Sequence, residues 1–461
     1  MNLVFNIPRL TISSHRGGAG KTIFTLGLIN LLNEKGIKIA PFKKGPDYID
    51  AGWLSKIAEK PCRNLDLFLF DKKEVLFSFY LGSQNADIAI LEGNRGLYDG
   101  VDEEGSCSTA ELAKLLKSPV ILVLDCTKAT RSMAALVKGF MEFDKEIEIK
   151  GVILNNIARP RHEKIIRNSI ERYTDAKVLG VIPRLKNMVK ERHLGLVTHF
   201  EKDSSFLKDL RGKLSENVDL ENIIELAKKV SPLEIPEFSL VKGVKTYKVK
   251  IGVFLDQAFQ FYYPENFEFL QSYGAELFFI NSFEERRLPS DISGLYLGGG
   301  FPEIFAQALA ENKELKKDVK EAIESGMPVY AECGGLMYLG KEIEWQGKNF
   351  PMTGVLPIKF KVDTKPHGHG YVIARVESEN PYFKINDTIL GHEFHYSYPY
   401  KMELKKGMKF VFKLEKGTGL DGIRDGILYK NLFASYTHIH IFSVKYWAEN
   451  FLELAYKFKN S

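Results

Sequence analysis

Short apolar runs alternate with amphipathic segments from the start of the chain, and this alternation predicts an α/β fold built on a parallel sheet. Leu10-Thr11-Ile12 reads as a strand and residues 23–32 as the helix that follows it. Strands recur at residues 36–42, 86–91, 120–125, 149–156 and 178–183, with helical segments between them. Residues 1–230 are therefore expected to form a doubly wound domain. Residues 231–247 include Ser231-Pro232-Leu233-Glu234-Ile235-Pro236, with two prolines and little periodicity, as expected of a linker. The alternation restarts at Val249-Lys250-Ile251-Gly252-Val253-Phe254-Leu255, which opens a second α/β domain over 248–461.

Length agrees with two domains, since 461 residues exceed what one hydrophobic core usually serves. The composition, 44% hydrophobic and 27% charged, is that of a soluble globular protein. A formal charge of +5 without a long basic block argues against nucleic acid as the main partner and leaves room for a small acidic ligand. The first nine residues are too short and too soon interrupted for a signal peptide, and no apolar run approaches membrane-spanning length. A cytoplasmic protein without membrane contact is expected. Cys62, Cys107, Cys126 and Cys333 lie far apart, without metal-ligand spacing or a disulfide framework, so each is judged by its neighbours.

The first candidate site is Ser13-Ser14-His15-Arg16-Gly17-Gly18-Ala19-Gly20-Lys21-Thr22, a glycine-rich turn between strand and helix. Gly18 and Gly20 let backbone N–H groups face one anion, Lys21 can reach terminal phosphates, and the Thr22 hydroxyl can hold Mg²⁺. The loop departs from a standard Walker A sequence, because His15 stands six residues before the lysine where a glycine is usual. The second strand delivers Lys43, Lys44, Asp47, Tyr48 and Asp50 to the sheet edge where ligands bind, and the acids and lysines suit metal and phosphate handling. Glu92, at the end of an apolar strand, fits the acid that completes Mg²⁺ coordination in phosphate-loop proteins, although such an acid can equally cap the next turn. Thr22, Asp47 and Glu92 are the expected metal ligands. His193, beside Arg192, reads more readily as a structural residue than as a catalyst.

In the second half, Leu297-Gly298-Gly299-Gly300 runs a strand into three glycines whose N–H groups could face an anion. Ala331-Glu332-Cys333-Gly334-Gly335 reads as a strand, a sharp elbow and a helix start, which would expose the sulfur and favour its thiolate. Residues 432–440 bring His438 and His440 to a strand end as candidate bases. Nucleophile, base and oxyanion donors together suit acyl transfer through a thioester.

Several stretches occur in the order found in the cobyrinic acid a,c-diamide synthase family. They are Gly45-Pro46-Asp47-Tyr48-Ile49-Asp50, Arg63-Asn64-Leu65-Asp66, Leu97-Tyr98-Asp99-Gly100, Ala331-Glu332-Cys333-Gly334-Gly335-Leu336-Met337-Tyr338 and Gly391-His392-Glu393-Phe394-His395-Tyr396-Ser397. The chain resembles that family essentially end to end. The resemblance implies an N-terminal P-loop domain similar to dethiobiotin synthetase and a C-terminal class I glutamine amidotransferase domain. ATP with Mg²⁺ would activate an acetate carboxylate of a tetrapyrrole, glutamine would supply ammonia, and positions a and c would be amidated in turn. Carried over by motif, Asp47, Tyr48, Asp50, Glu92 and Asp99 would belong to phosphorylation and amidation, with Lys21 and Thr22 on ATP and Mg²⁺; Lys43, from its place at the strand end, is expected beside them in cofactor binding. Cys333 matches the nucleophile and His438 the residue that activates it.

Two departures stand out. Ser14, His15 and Arg16 replace a Thr-Ser-rich loop and inherit no role, and His440 stands where a glutamate usually follows the catalytic histidine by two residues, so a third triad member is unassigned. The same architecture serves nickel-sirohydrochlorin and hydrogenobyrinate as substrates. A reading from another class is a partitioning-type ATPase switch, which the 16–22 loop resembles but which needs neither Cys333 nor His438. Oligomeric state is open, with a homodimer compatible.

Overall fold

The N-terminal strand, loop and helix form as Arg9–Ser14, a glycine turn, and Lys21–Glu34. The computed structural model describes residues 3–185, 191–192, 195–196, 205–237 and 246–461, so His193 and residues 238–245 lie outside the described part. Two compact units divide the chain, Met1–Phe238 and Ser239–Ser461.

The first unit carries a seven-stranded parallel sheet in the spatial order Arg63–Leu65, Ile39–Lys44, Ile88–Glu92, Arg9–Ser14, Val120–Asp125, Ile149–Ile157, Lys177–Pro183. Its inner strands read as apolar runs because helices cover both faces. Leu10, Ile12, Ile90, Ile121, Val123 and Ile153 pack with Phe24, Leu28 and Leu31 of the Lys21–Glu34 helix in one core. Chain order reverses at Arg9–Ser14, whose neighbours are the later strands Ile88–Glu92 and Val120–Asp125, and such a reversal opens a crevice at the carboxyl edge.

The stretch read as linker starts inside this unit. Leu233–Ile235 pairs antiparallel with Leu3–Phe5, burying Leu233 and Ile235 while Glu234 faces solvent. Pro232 and Pro236 flank this short strand instead of interrupting its ladder, so the prolines mark its ends.

The second unit has a nine-stranded mixed sheet. Five parallel strands come first, Ala275–Ile280, Val249–Phe254, Gly294–Leu297, Val329–Glu332 and Leu432–Ser435. Four antiparallel strands extend it, Arg424–Tyr429, Met408–Lys416, Gly368–Val376 and Thr388–His395. A four-stranded sheet lies beside them in sequence, ordered Lys348–Pro351, Glu342–Trp345, Ile358–Val362, Ser397–Met402. No helix among the described residues is long and apolar enough to cross a membrane.

Candidate functional site

Register builds the site of the first unit. Ile12 pairs with Glu92, and Glu92 with Lys43, so the ends of three neighbouring strands meet in one row. Lys43 therefore sits within its strand instead of just beyond it, and its stem is buried. Lys43 Nζ lies 2.6 Å from both Asp50 Oδ2 and Glu92 Oε1, and 3.7 Å from Asp47 Oδ2. The Thr22 hydroxyl donates to Glu92 Oε1 at 2.8 Å and Asp50 Oδ2 at 3.2 Å. Burial alone would lower the Lys43 pKa, but Asp50 and Glu92 hold the ammonium protonated. Burial and the neighbouring Asp50 push Asp47 up to about 7, whereas burial of Asp50 is outweighed by Lys43, which lowers its pKa.

Of the expected metal ligands, Thr22 and Glu92 meet, but the carboxylate that joins them is Asp50. Asp47 caps the Tyr48–Ala58 helix by accepting from Asp50 N at 2.9 Å, because an acid before a helix start satisfies an otherwise unpaired N–H. Among the described residues no three His, Cys, Asp or Glu side chains form a ready metal cage. Mg²⁺ uses one or two carboxylates with waters and phosphate oxygens. Hard oxygens from Thr22, Asp50 and Glu92 fit such an ion.

Gly20 has φ 99° and Gly18 φ 67°, left-handed conformations that turn the loop into the helix. A Cβ at Gly20 would also meet Asn155 Nδ2 at 2.2 Å. Lys21 donates to Arg95 O at 2.6 Å and Ser14 Oγ at 2.9 Å. Burial and the Lys43 charge push it down to about 8. Tyr48 begins the helix that carries Asp50. Asp99 is exposed, accepts from Gly96 N at 2.7 Å within its own loop, and its charge acts on Lys21. Arg16, which inherited no role, pairs with Asp125 of the same chain.

The site of the second unit lies at the carboxyl edge of its parallel strands. Cys333 joins Val329–Glu332 to Gly334–Leu339 with φ 44° and ψ −94°, a strained elbow. Its N–H donates to Ser435 O at 2.7 Å. The expectation of an exposed, thiolate-favouring sulfur fails, since Cys333 is 5% exposed and packs with the core. Burial pushes its pKa up, the charges of Glu303 and Glu332 add to this, and the Gly334 N–H only partly opposes them. A buried thiol loses the hydration that favours its anion. Alkylation of Cys333 by iodoacetamide, read on its tryptic peptide, is accordingly expected to be slower at pH 7 than for an unfolded thiol. It should rise about tenfold per pH unit beyond pH 9, the slope for a thiol still mostly protonated. A plateau below pH 8 would contradict this environment.

His438 follows the Leu432–Ser435 strand and bridges to His392. Its Nδ1 lies 3.2 Å from Glu332 Oε2, a neighbour that the spacing rule for class I glutaminases does not point to. The sequence signal was present: Glu332 is the charged residue of an otherwise apolar, fully buried strand. The glycine turn approaches His438 and the helix start that follows Cys333. A Cβ at Gly299 would lie 2.4 Å from His438 Cε1, and one at Gly334 would lie 3.0 Å from Gly300 N.

Two family models match, a CobQ/CobB/MinD/ParA nucleotide binding domain over residues 10–196 and a CobB/CobQ-like glutamine amidotransferase domain over 250–446. A cobyrinate a,c-diamide synthase of Magnetococcus marinus is 44% identical over 96% of this chain and 96% of its own. The chain belongs to the cobyrinate a,c-diamide synthase family. Other family members include the Archaeoglobus fulgidus protein, 42% identical over 99% of both chains, and that of Methanosarcina barkeri, 38% identical over 99% of this chain and 98% of its own. The P-loop reading of the first unit and the glutamine amidotransferase reading of the second are those of the family's two domains.

Proposed function

We propose that this chain is an ATP-dependent carbon–nitrogen ligase that uses glutamine to amidate the a and c acetate side chains of a corrinoid, converting cobyrinate to cobyrinate a,c-diamide. The observation that carries the reading is 44% identity to a cobyrinate a,c-diamide synthase over nearly the whole of both chains. A carboxylate is a poor acyl donor because oxide is a poor leaving group, which is why an acyl phosphate is the reasonable intermediate. One acetate oxygen attacks the γ-phosphorus of ATP and ADP leaves. Ammonia then attacks the acyl carbon and phosphate leaves, giving the amide.

For the first step, Gly18, Gly20 and Lys21 would bind the phosphates. Thr22, Asp50 and Glu92, with Asp47 nearby, would hold Mg²⁺, which would neutralise phosphate charge. The Lys43 ammonium among these carboxylates marks where a cation is favoured. By motif, Tyr48 and Asp99 would serve the phosphorylation and amidation steps. In the second unit Cys333 would be the nucleophile and His438 its base. The alternative of a dimeric ATPase switch gains no support from Arg16, whose guanidinium is engaged by Asp125 of its own chain.

The test offers cobyrinate, nickel-sirohydrochlorin and hydrogenobyrinate in parallel with ATP and glutamine and reads product mass. Cobyrinate is expected to give the diamide fastest. Preference for either other tetrapyrrole would move the assignment within the family. Failure to release glutamate with any of them would overturn it.

A further inference from the structure

Glu332 ends its strand immediately before Cys333, and parallel pairing sets it opposite Ser435. The chain leaving Ser435 then returns His438 to the same carboxylate. Oε2 lies 3.2 Å from His438 Nδ1, while Oε1 accepts from Ile439 N at 3.1 Å, with both side chains buried. A carboxylate offers only acceptors, so this contact places the proton of the neutral imidazole on Nδ1 and leaves Nε2 as the acceptor. Nε2 is also the nitrogen near the glycine turn, 3.1 Å from where a Gly299 Cβ would stand. On the other side His392 stacks on the ring at 4.9 Å and 18°, limiting its rotation. Two residues after His438, where a glutamate is usual, His440 faces Glu265 at 3.5 Å.

We propose that Glu332 is the positioning residue of the glutaminase, supplied from the position before the nucleophile instead of from two residues after the histidine. The inference rests on the reading of Cys333 and His438 as nucleophile and base. In that reaction the thiol proton passes to His438 Nε2 as sulfur bonds to the amide carbon of glutamine. Nε2 returns the proton to nitrogen as the C–N bond breaks and ammonia leaves. Water then attacks the thioester, its proton moving through Nε2 to the departing sulfur, and glutamate is released. Glu332 keeps its charge throughout, holds Nδ1–H and stabilises the imidazolium.

Glu332→Gln tests this in the full chain. A glutamine side chain that still accepts from Ile439 N–H turns its NH₂ toward Nδ1, which selects the opposite tautomer. Its kcat for glutamine hydrolysis is expected to fall roughly 10²–10⁴-fold, with KM within about threefold. ¹⁵N spectra of His438 should change from Nδ1–H to Nε2–H, and Glu332→Asp should recover at least about tenfold of the lost rate. Amidation with added ammonia reports that the fold is intact. The proposal is overturned if Glu332→Gln keeps its kcat while Cys333→Ser and His438→Ala are inactive. It is equally overturned if the variant is inactive with an unchanged tautomer, or if both Glu332 variants also lose ammonia-supported amidation. Glutamine hydrolysis surviving in Cys333→Ser or His438→Ala would instead refute the reading on which the proposal rests.

Discussion

Cys333→Ser is expected to lower glutamine-dependent amidation by roughly 10⁴-fold or more, while amidation with added ammonia stays within about twofold of wild type. The strained elbow at Cys333, with φ 44°, holds its side chain at the carboxyl edge of a parallel sheet, beside the turn that carries Gly299 and Gly300. A hydroxyl at this position is a far weaker nucleophile at neutral pH than a thiol that a histidine can deprotonate. The substitution is nearly isosteric, so the core around it should persist. The assay runs both nitrogen sources with tetrapyrrole and ATP and measures diamide by mass. Equal loss with glutamine and with ammonia would contradict separate sites for nitrogen release and carboxylate activation.

Lys21→Ala should remove both nitrogen sources together, each by at least about a hundredfold, because it acts before ammonia is used. Lys21 is buried at the start of the helix that follows the glycine turn, and on the proposed function its charge would meet the terminal phosphates. Lys21 Nζ is held by Ser14 Oγ and Arg95 O, and burial together with the Lys43 charge lowers its pKa to about 8. Losing it should therefore cost little folding stability but most of the ATP-induced rise in Tm. Thermal unfolding with and without ATP and Mg²⁺ checks this alongside the two assays. A variant that lost glutamine-dependent activity alone would place Lys21 outside the nucleotide site.

The two departures noted in the sequence have physical answers in the structure. Arg16 could not be assigned from the loop because its partner, Asp125, comes from the end of a strand more than a hundred residues later. The carboxylate beside His438 could not be found by spacing, since Glu332 reaches it through strand pairing and not through proximity to the histidine in sequence. Asp99 carried the family motif, and its carboxylate accepts from Gly96 N while its charge acts on Lys21 of the glycine turn. The linker expectation at Leu233–Ile235 gave weight to prolines over a three-residue alternation too short to be seen as a strand.

Local pattern alone determined the alternation of strands and helices, the glycine turn before Lys21, the elbow at Cys333 and the division into two α/β units. These features follow from backbone sterics and hydrophobic period, which act over a few residues. Only the tertiary structure decided that Asp50 joins Thr22 and Glu92, that the thiol is buried, and that Glu332 meets His438. Each depends on which strands lie side by side and in what register, and that is fixed by packing of the whole sheet.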